Sequence, residues 1–117
     1  FGFVIMSSDG SASTNLFQGV LCLGTPQGRY NPQVAANQGL PQLNSLGQFD
    51  AAGVFQNLVG TSVAGSGFDV PSELPFSPAG QTIASGDTYF FQVWYRDQDG
   101  GGGPSANFSD TIEATFP

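Results

Sequence analysis

The chain contains no histidine and no lysine, and its only cationic side chains are Arg29 and Arg96. Without histidine there is no Ser-His-Asp or Cys-His arrangement, and without lysine no Schiff base or Ser-Lys pair. Two arginines cannot neutralise enough phosphates to hold a nucleic acid, nor can they fix the chain to an anionic membrane surface. Charged residues of either sign make up 9% of the sequence, against roughly 25% in an average soluble domain, and nine acids leave a net charge of -7. Long hydrophobic runs are also missing, since no stretch approaches the ~18 apolar residues that span a bilayer, which argues against membrane insertion. Cysteine occurs once. Cys22, within Val20-Leu21-Cys22-Leu23, has no internal disulfide partner and reads as a small buried hydrophobe.

What remains is aromatic and flexible. The 117 residues are 39% hydrophobic and 13% aromatic, including eleven phenylalanines. That suffices for one core and predicts a single domain over residues 1–117. Seventeen glycines and eight prolines cut the sequence into short segments with no sustained helical period. This pattern predicts an all-β fold, an antiparallel β-sandwich of jelly-roll or immunoglobulin-like type. The first residue is Phe1 and not Met, as expected of a processed or trimmed product whose export signal has already been lost. Abundant Gly, Ser, Thr, Asn and Gln with no lysine points to a secreted, extracellular or cell-surface location.

Strands are expected at 1–6, 17–23 and 88–96, with a last one alternating Phe108, Ile112, Ala114 and Phe116 inward. In the first, Phe1, Phe3 and Ile5 share one face and Val4 and Met6 the other, so both faces need cover. The third places Tyr89, Phe91, Val93 and Tyr95 opposite Phe90, Gln92, Trp94 and Arg96. Turns are expected at 8–11, 24–26, 31–32 and 85–87, and a flexible loop at Asp97-Gln98-Asp99 and the four glycines 100–103. Between 33 and 80 the pattern is weaker. Short strands at 46–49, 54–55, 58–59 and 68–70 and a short helix around 50–57 fit it, whereas the prolines of 74–78 keep that stretch out of any ladder.

Three blocks carry a resemblance: Gln18-Gly19-Val20-Leu21-Cys22-Leu23-Gly24 with Gly28-Arg29-Tyr30; Gly86-Asp87-Thr88-Tyr89-Phe90-Phe91-Gln92-Val93-Trp94-Tyr95-Arg96-Asp97; and Ser105-Ala106-Asn107-Phe108-Ser109-Asp110. Their order and spacing resemble an uncharacterised secreted β-domain of planctomycete-type environmental bacteria. The family pattern usually has Trp where this chain has Tyr89, and the stretch 47–80 differs from it. The resemblance implies a secreted β-fold and transfers no catalytic residue.

Candidate chemistry is sparse, and no catalytic residue is assigned. Asp97, Asp99, Asp110 and Glu113 could supply a carboxylate pair for glycoside hydrolysis, but a four-glycine loop is a poor rigid mount for catalytic groups. Asp97 and Asp99 are candidate ligands for a structural calcium ion, which prefers carboxylate oxygens, yet the spacing of an EF-hand loop is absent. No other cofactor is expected. Arg29 and Arg96 suit structural roles, a planar guanidinium stacked on a ring and bridged to an acid. Trp94 and Tyr95 are candidate glycan contacts, because amphipathic rings stack on the apolar faces of sugars. Asn107-Phe108-Ser109 matches a glycosylation acceptor.

The leading reading is a non-enzymatic structural subunit that partners with copies of itself. Residues 1–6, carrying Phe1, Phe3, Val4, Ile5 and Met6, form a strand suited to donation into a neighbouring copy, joining a filament head to tail. A carbohydrate-binding or adhesion module is the alternative.

Overall fold

The computed structural model describes residues 1–31, 45–57, 67–76, 80–98 and 100–117. All regular structure among them is β: β1 (Gly2–Ser7), β2 (Thr14–Leu16), β3 (Gly19–Leu21), β4 (Gln27–Gly28), β5 (Leu46–Phe49), β6 (Phe55–Asn57), β7 (Thr88–Gln98), β8 (Pro104–Phe108) and β9 (Ile112–Thr115). Seven strands form one antiparallel sheet in the order β6-β5-β1-β7-β8, with β4 also on β1 and β9 also on β7. This sheet curls into a half-barrel. β2 and β3 form a separate hairpin.

Two strands organise the sheet, and both have an edge shared by two short partners. β1 runs along β7, from Gly2 opposite Tyr95 to Ser7 opposite Phe90. Its other edge is taken by β5 at Gly2 and Phe3 and by β4 at Met6 and Ser7. Between them Val4 N–H donates to Ser45 O at 3.3 Å, and Ser45 Oγ donates to Val4 O at 2.9 Å. β7 repeats the arrangement. β9 covers Thr88 to Phe91, β8 covers Trp94 to Gln98, and in the gap Ser109 N–H donates to Val93 O while Val93 N–H donates to Ser109 Oγ at 2.8 Å. In each break a serine hydroxyl replaces a missing ladder bond, so buried backbone groups stay paired where the edge changes strand.

One face of the sheet carries the main core: Met6, Tyr30, Leu74, Phe76 and Tyr89, with Phe68, Val70, Ile83, Phe91 and Phe116 packed around them. Each such side chain contributes about 1.5–3 kcal/mol by leaving water. Residues 67–76 lie over this face as an irregular strap. The strap is tied by Tyr30 Oη donating to Glu73 O, Leu74 N–H to Gln81 O and Ile83 N–H to Ser72 O. The opposite face carries Phe3, Phe90, Gln92 and Trp94, and β2–β3 packs on it: Gln92 Nε2 donates to Val20 O, and its Oε1 accepts from Cys22 N–H. Gly19 meets β8 closely, for a Cβ there would lie 2.2 Å from Asn107 Oδ1.

The strands at 1–6, 46–49 and 88–96 and the turns at 24–26 and 85–87 are found near their expected places. Several other expectations are corrected. Residues 17–23 are not one strand: Phe17 and Gln18 form the turn of the β2–β3 hairpin, with Phe17 at φ 53° and 72% exposed. Residues 50–57 are not helical. Asp50 Oδ1 accepts from Ala52 and Val54 N–H, an aspartate-capped turn that, with Gly53 at φ 80°, reverses the chain into β6. Residues 68–70 lie in the strap, between Gly67 at φ 75° and Pro71. Asp97 belongs to β7, opposite Ser105, and not to the loop. The final strand is broken at 109–111, so that Phe108 lies opposite Trp94 and away from the core, while Ile112, opposite Phe91 on the core face, stays 65% exposed. The segment 58–59 lies outside the described residues.

Both core tyrosines favour the neutral phenol. Burial pushes the Tyr30 hydroxyl well above its ordinary value of 10.0, helped by the charges of Glu73 and of ionised Tyr89. Tyr89 is also pushed up, by burial, by the negative charge of Asp87 and by its hydrogen bond to that carboxylate. A phenol with a raised folded-state value gives stability that is complete below the unfolded value and lost as pH rises past it. Urea midpoints are therefore expected to hold to about pH 9 and fall steadily above pH ~10. Tyr30→Phe lowers the unfolding free energy at neutral pH by about 1 kcal/mol and flattens the alkaline decline. A wild-type midpoint that does not move on the alkaline side contradicts the assignment.

Candidate functional site

The slot filled by β1 is where the expected self-assembly residues come together. Met6 is buried, Phe3, Val4 and Ile5 are half-buried, and Phe1 is 63% exposed just outside the ladder. Val4 lies beside Val93 and Met6 beside Phe91 on the core side. On the other face Phe3 stacks on Trp94 with ring centroids 4.9 Å apart and planes at 22°, while the Arg29 guanidinium lies 4.1 Å from the centre of the same Phe3 ring. Arg29 thus takes the ring-stacked role expected of it. β1 is apolar above and below and bonded at both edges, and without it β7 with β8 and β9 would be separated from β4, β5 and β6.

Trp94 and Tyr95 are divided between the faces, as the alternation predicts. Phe3 covers one side of the Trp94 ring. Tyr95 instead belongs to an aromatic group with Phe49, at 5.6 Å and 74°, which in turn meets Phe55 at 5.5 Å and 70°. These are edge-to-face contacts, which do not lay one ring flat on another. An open cavity of about 600 Å³ adjoins them, lined by Phe1, Gln48, Phe49, Tyr95, Arg96 and Ser109. Gln48 and Phe49 were not expected here. They arrive through pairing of β5 with β1, and Gly47 permits the approach, because a Cβ there would meet the Phe55 ring at 2.3 Å.

The remaining candidates are dispersed. Asp97 is exposed and accepts from Gln98 N–H at 2.8 Å, whereas Asp99 lies outside the described residues. Among the described residues no three His, Cys, Asp or Glu side chains cluster as metal ligands. Asp110 and Glu113 are exposed, near the break that separates β8 from β9. Asn107 is half-buried on β8 and its Oδ1 accepts from Phe108 N–H, so the acceptor amide is turned into the sheet edge beside Gly19. Cys22 is half-buried just beyond β3. Among the described residues no helix is long and apolar enough to cross a membrane.

No protein-family model, no curated protein and no solved structure matches this chain.

Proposed function

We propose that this domain is a non-enzymatic structural subunit of an extracellular or cell-surface assembly, built by exchange of β1 between copies. The curled sheet, with a strap on one face and a hairpin on the other, is read as a variant β-sandwich of the jelly-roll or immunoglobulin-like class, as the resemblance to secreted bacterial β-domains implies. The carrying observation is the position of β1, which has two apolar faces and partners on both edges. The same bonds and burial are satisfied when the strand comes from a neighbour, so the exchange costs little beyond ordering the connection. That connection is residues 8–13, which contains no strand and reaches about 20 Å when extended. Donation from each copy to the next is a heterologous contact, and without closure it propagates a filament. Exposed Phe17, Ile112 and Val54 are apolar surface that neighbouring copies could cover.

Val4 and Val93 test this directly. They face each other across β1 and β7, and their backbone groups bond away from one another, to Ser45 and Ser109. Such a non-hydrogen-bonded pair brings Cα atoms to about 4.5 Å, close enough for a disulfide. In a chain with Val4→Cys, Val93→Cys and Cys22→Ser, oxidation is expected to give a ladder of linked multimers on a non-reducing gel, alongside filaments in negative stain. A band of internally linked monomer at every concentration, with no filaments, refutes the exchange.

A further inference from the structure

The cavity beside Tyr95 is not needed for strand exchange, and its walls carry the chemistry of a ligand site. Its volume of about 600 Å³ falls within the range of about 300–1,000 Å³ typical of small-molecule pockets. Phe49 and Tyr95 form its aromatic wall, meeting edge to face so that they do not cover each other. Gln48 and Arg96 bring polar groups to the same space, beside Ser109, whose hydroxyl is engaged by Val93 N–H and Asp110 O. An amide supplies donors and an acceptor, and a guanidinium donors only. Rings that offer an apolar face, set among mixed donors and acceptors, match a pyranose, whose C–H face is apolar and whose edge is hydroxylated.

Charge decides the kind of sugar. The chain carries a net charge of -7, and exposed Asp97 and Asp110 directly follow the lining residues Arg96 and Ser109. An acidic saccharide is repelled by this field, whereas a cationic amino sugar, drawn by the field, is repelled at the wall itself by Arg96. We propose that this cavity binds a neutral saccharide, with one ring laid against Phe49 and Tyr95 and its hydroxyls held by Gln48 and Arg96. Trp94 is outside the site, for it does not line the cavity and its ring is stacked on Phe3. The site is independent of whether β1 is exchanged.

Isothermal titration of the whole chain with neutral hexasaccharides of glucose, mannose and xylose tests this, with oligogalacturonate and chitosan oligomers as charged probes. At least one neutral sugar is expected to bind. Phe49→Ala and Tyr95→Ala should each weaken it about tenfold or more, the equivalent of one lost stacking contact. Gln48→Ala, at an exposed position, should weaken it severalfold with an unchanged thermal melt, which separates lost contact from lost fold. Trp94→Phe should bind as the parent does, and the Trp94 emission should not shift on saturation. Heat from none of the neutral sugars, stronger binding of either charged probe, or loss in Trp94→Phe with retention in Phe49→Ala overturns the assignment.

Discussion

Deleting residues 1–6 is expected to abolish the cooperative unfolding transition of the isolated chain, and a synthetic peptide of residues 1–7 added in trans is expected to restore it. β1 pairs at six positions with β7 and at four with β4 and β5. Each net backbone bond contributes about 0.5–1.5 kcal/mol. Met6, 1% exposed in the core, adds about 2–5 kcal/mol by comparison with large-to-small core substitutions. Together these approach or exceed the whole stability of an ordinary domain, about 5–15 kcal/mol. The deletion also leaves Ser45 and the inner edges of β7 and β5 with unpaired groups, which penalises any collapsed remnant. Circular dichroism melts of the shortened chain, with and without peptide, provide the measurement. A sharp melt in the shortened chain alone would show that the sheet closes without this strand, and the exchange mechanism would fail with it.

The parts of this fold that were legible in the sequence are those in which one segment sets its own pattern. β7 carries a continuous aromatic and apolar stretch from Tyr89 to Tyr95, interrupted at Gln92 alone, and its assignment of Tyr95 and Trp94 to opposite faces follows from a period of two. β1 was legible for the same reason. The β2–β3 hairpin was not, because Phe17 and Gln18 occupy a turn that usually announces itself with Asn-Gly or Gly, and an apolar Phe there reads as strand. Phe68 and Val70 read as strand from their apolar character, which serves the core equally well from an irregular strap. Ser45 and Ser109 were beyond reach. A serine that patches a broken ladder has no local signature, since its role depends on which two short strands end beside it. The cavity illustrates both cases: Tyr95 could be singled out from β7, but Phe49 joins it only through the intervening β1, which sequence order does not specify.

Gln92 joins three elements from a site 2% exposed. Its Oε1 accepts from Cys22 N–H at 3.0 Å, and its Nε2 donates to Val20 O at 2.9 Å and to Ser109 O at 2.8 Å. One amide therefore fastens the β3 end of the hairpin to β7 and closes the break between β8 and β9. Gln92→Leu keeps the volume and removes all three bonds, leaving the Cys22 N–H and the Ser109 carbonyl without this partner and Val20 O with the Cys22 thiol alone, at about 1–3 kcal/mol for each buried group left unpaired, before relaxation. A loss of about 3–5 kcal/mol in urea unfolding is expected, among the largest for one substitution. Gln92→Glu distinguishes this hydrogen-bond role from simple packing. The carboxylate still accepts from Cys22 but turns lone pairs toward both carbonyls, while the protonated acid regains one donor. Burial and the carbonyls both disfavour the ionised form, so its folded-state pKa is raised above the unfolded value of about 4.3. The variant is then most stable below that value and loses stability as pH rises through the window between unfolded and folded pKa, opposite in sign to a salt-bridged carboxylate. Equal stability of Gln92→Glu at pH 4 and pH 7, or a Gln92→Leu variant as stable as the parent, would mean that Gln92 fills space and the hairpin is held by other contacts.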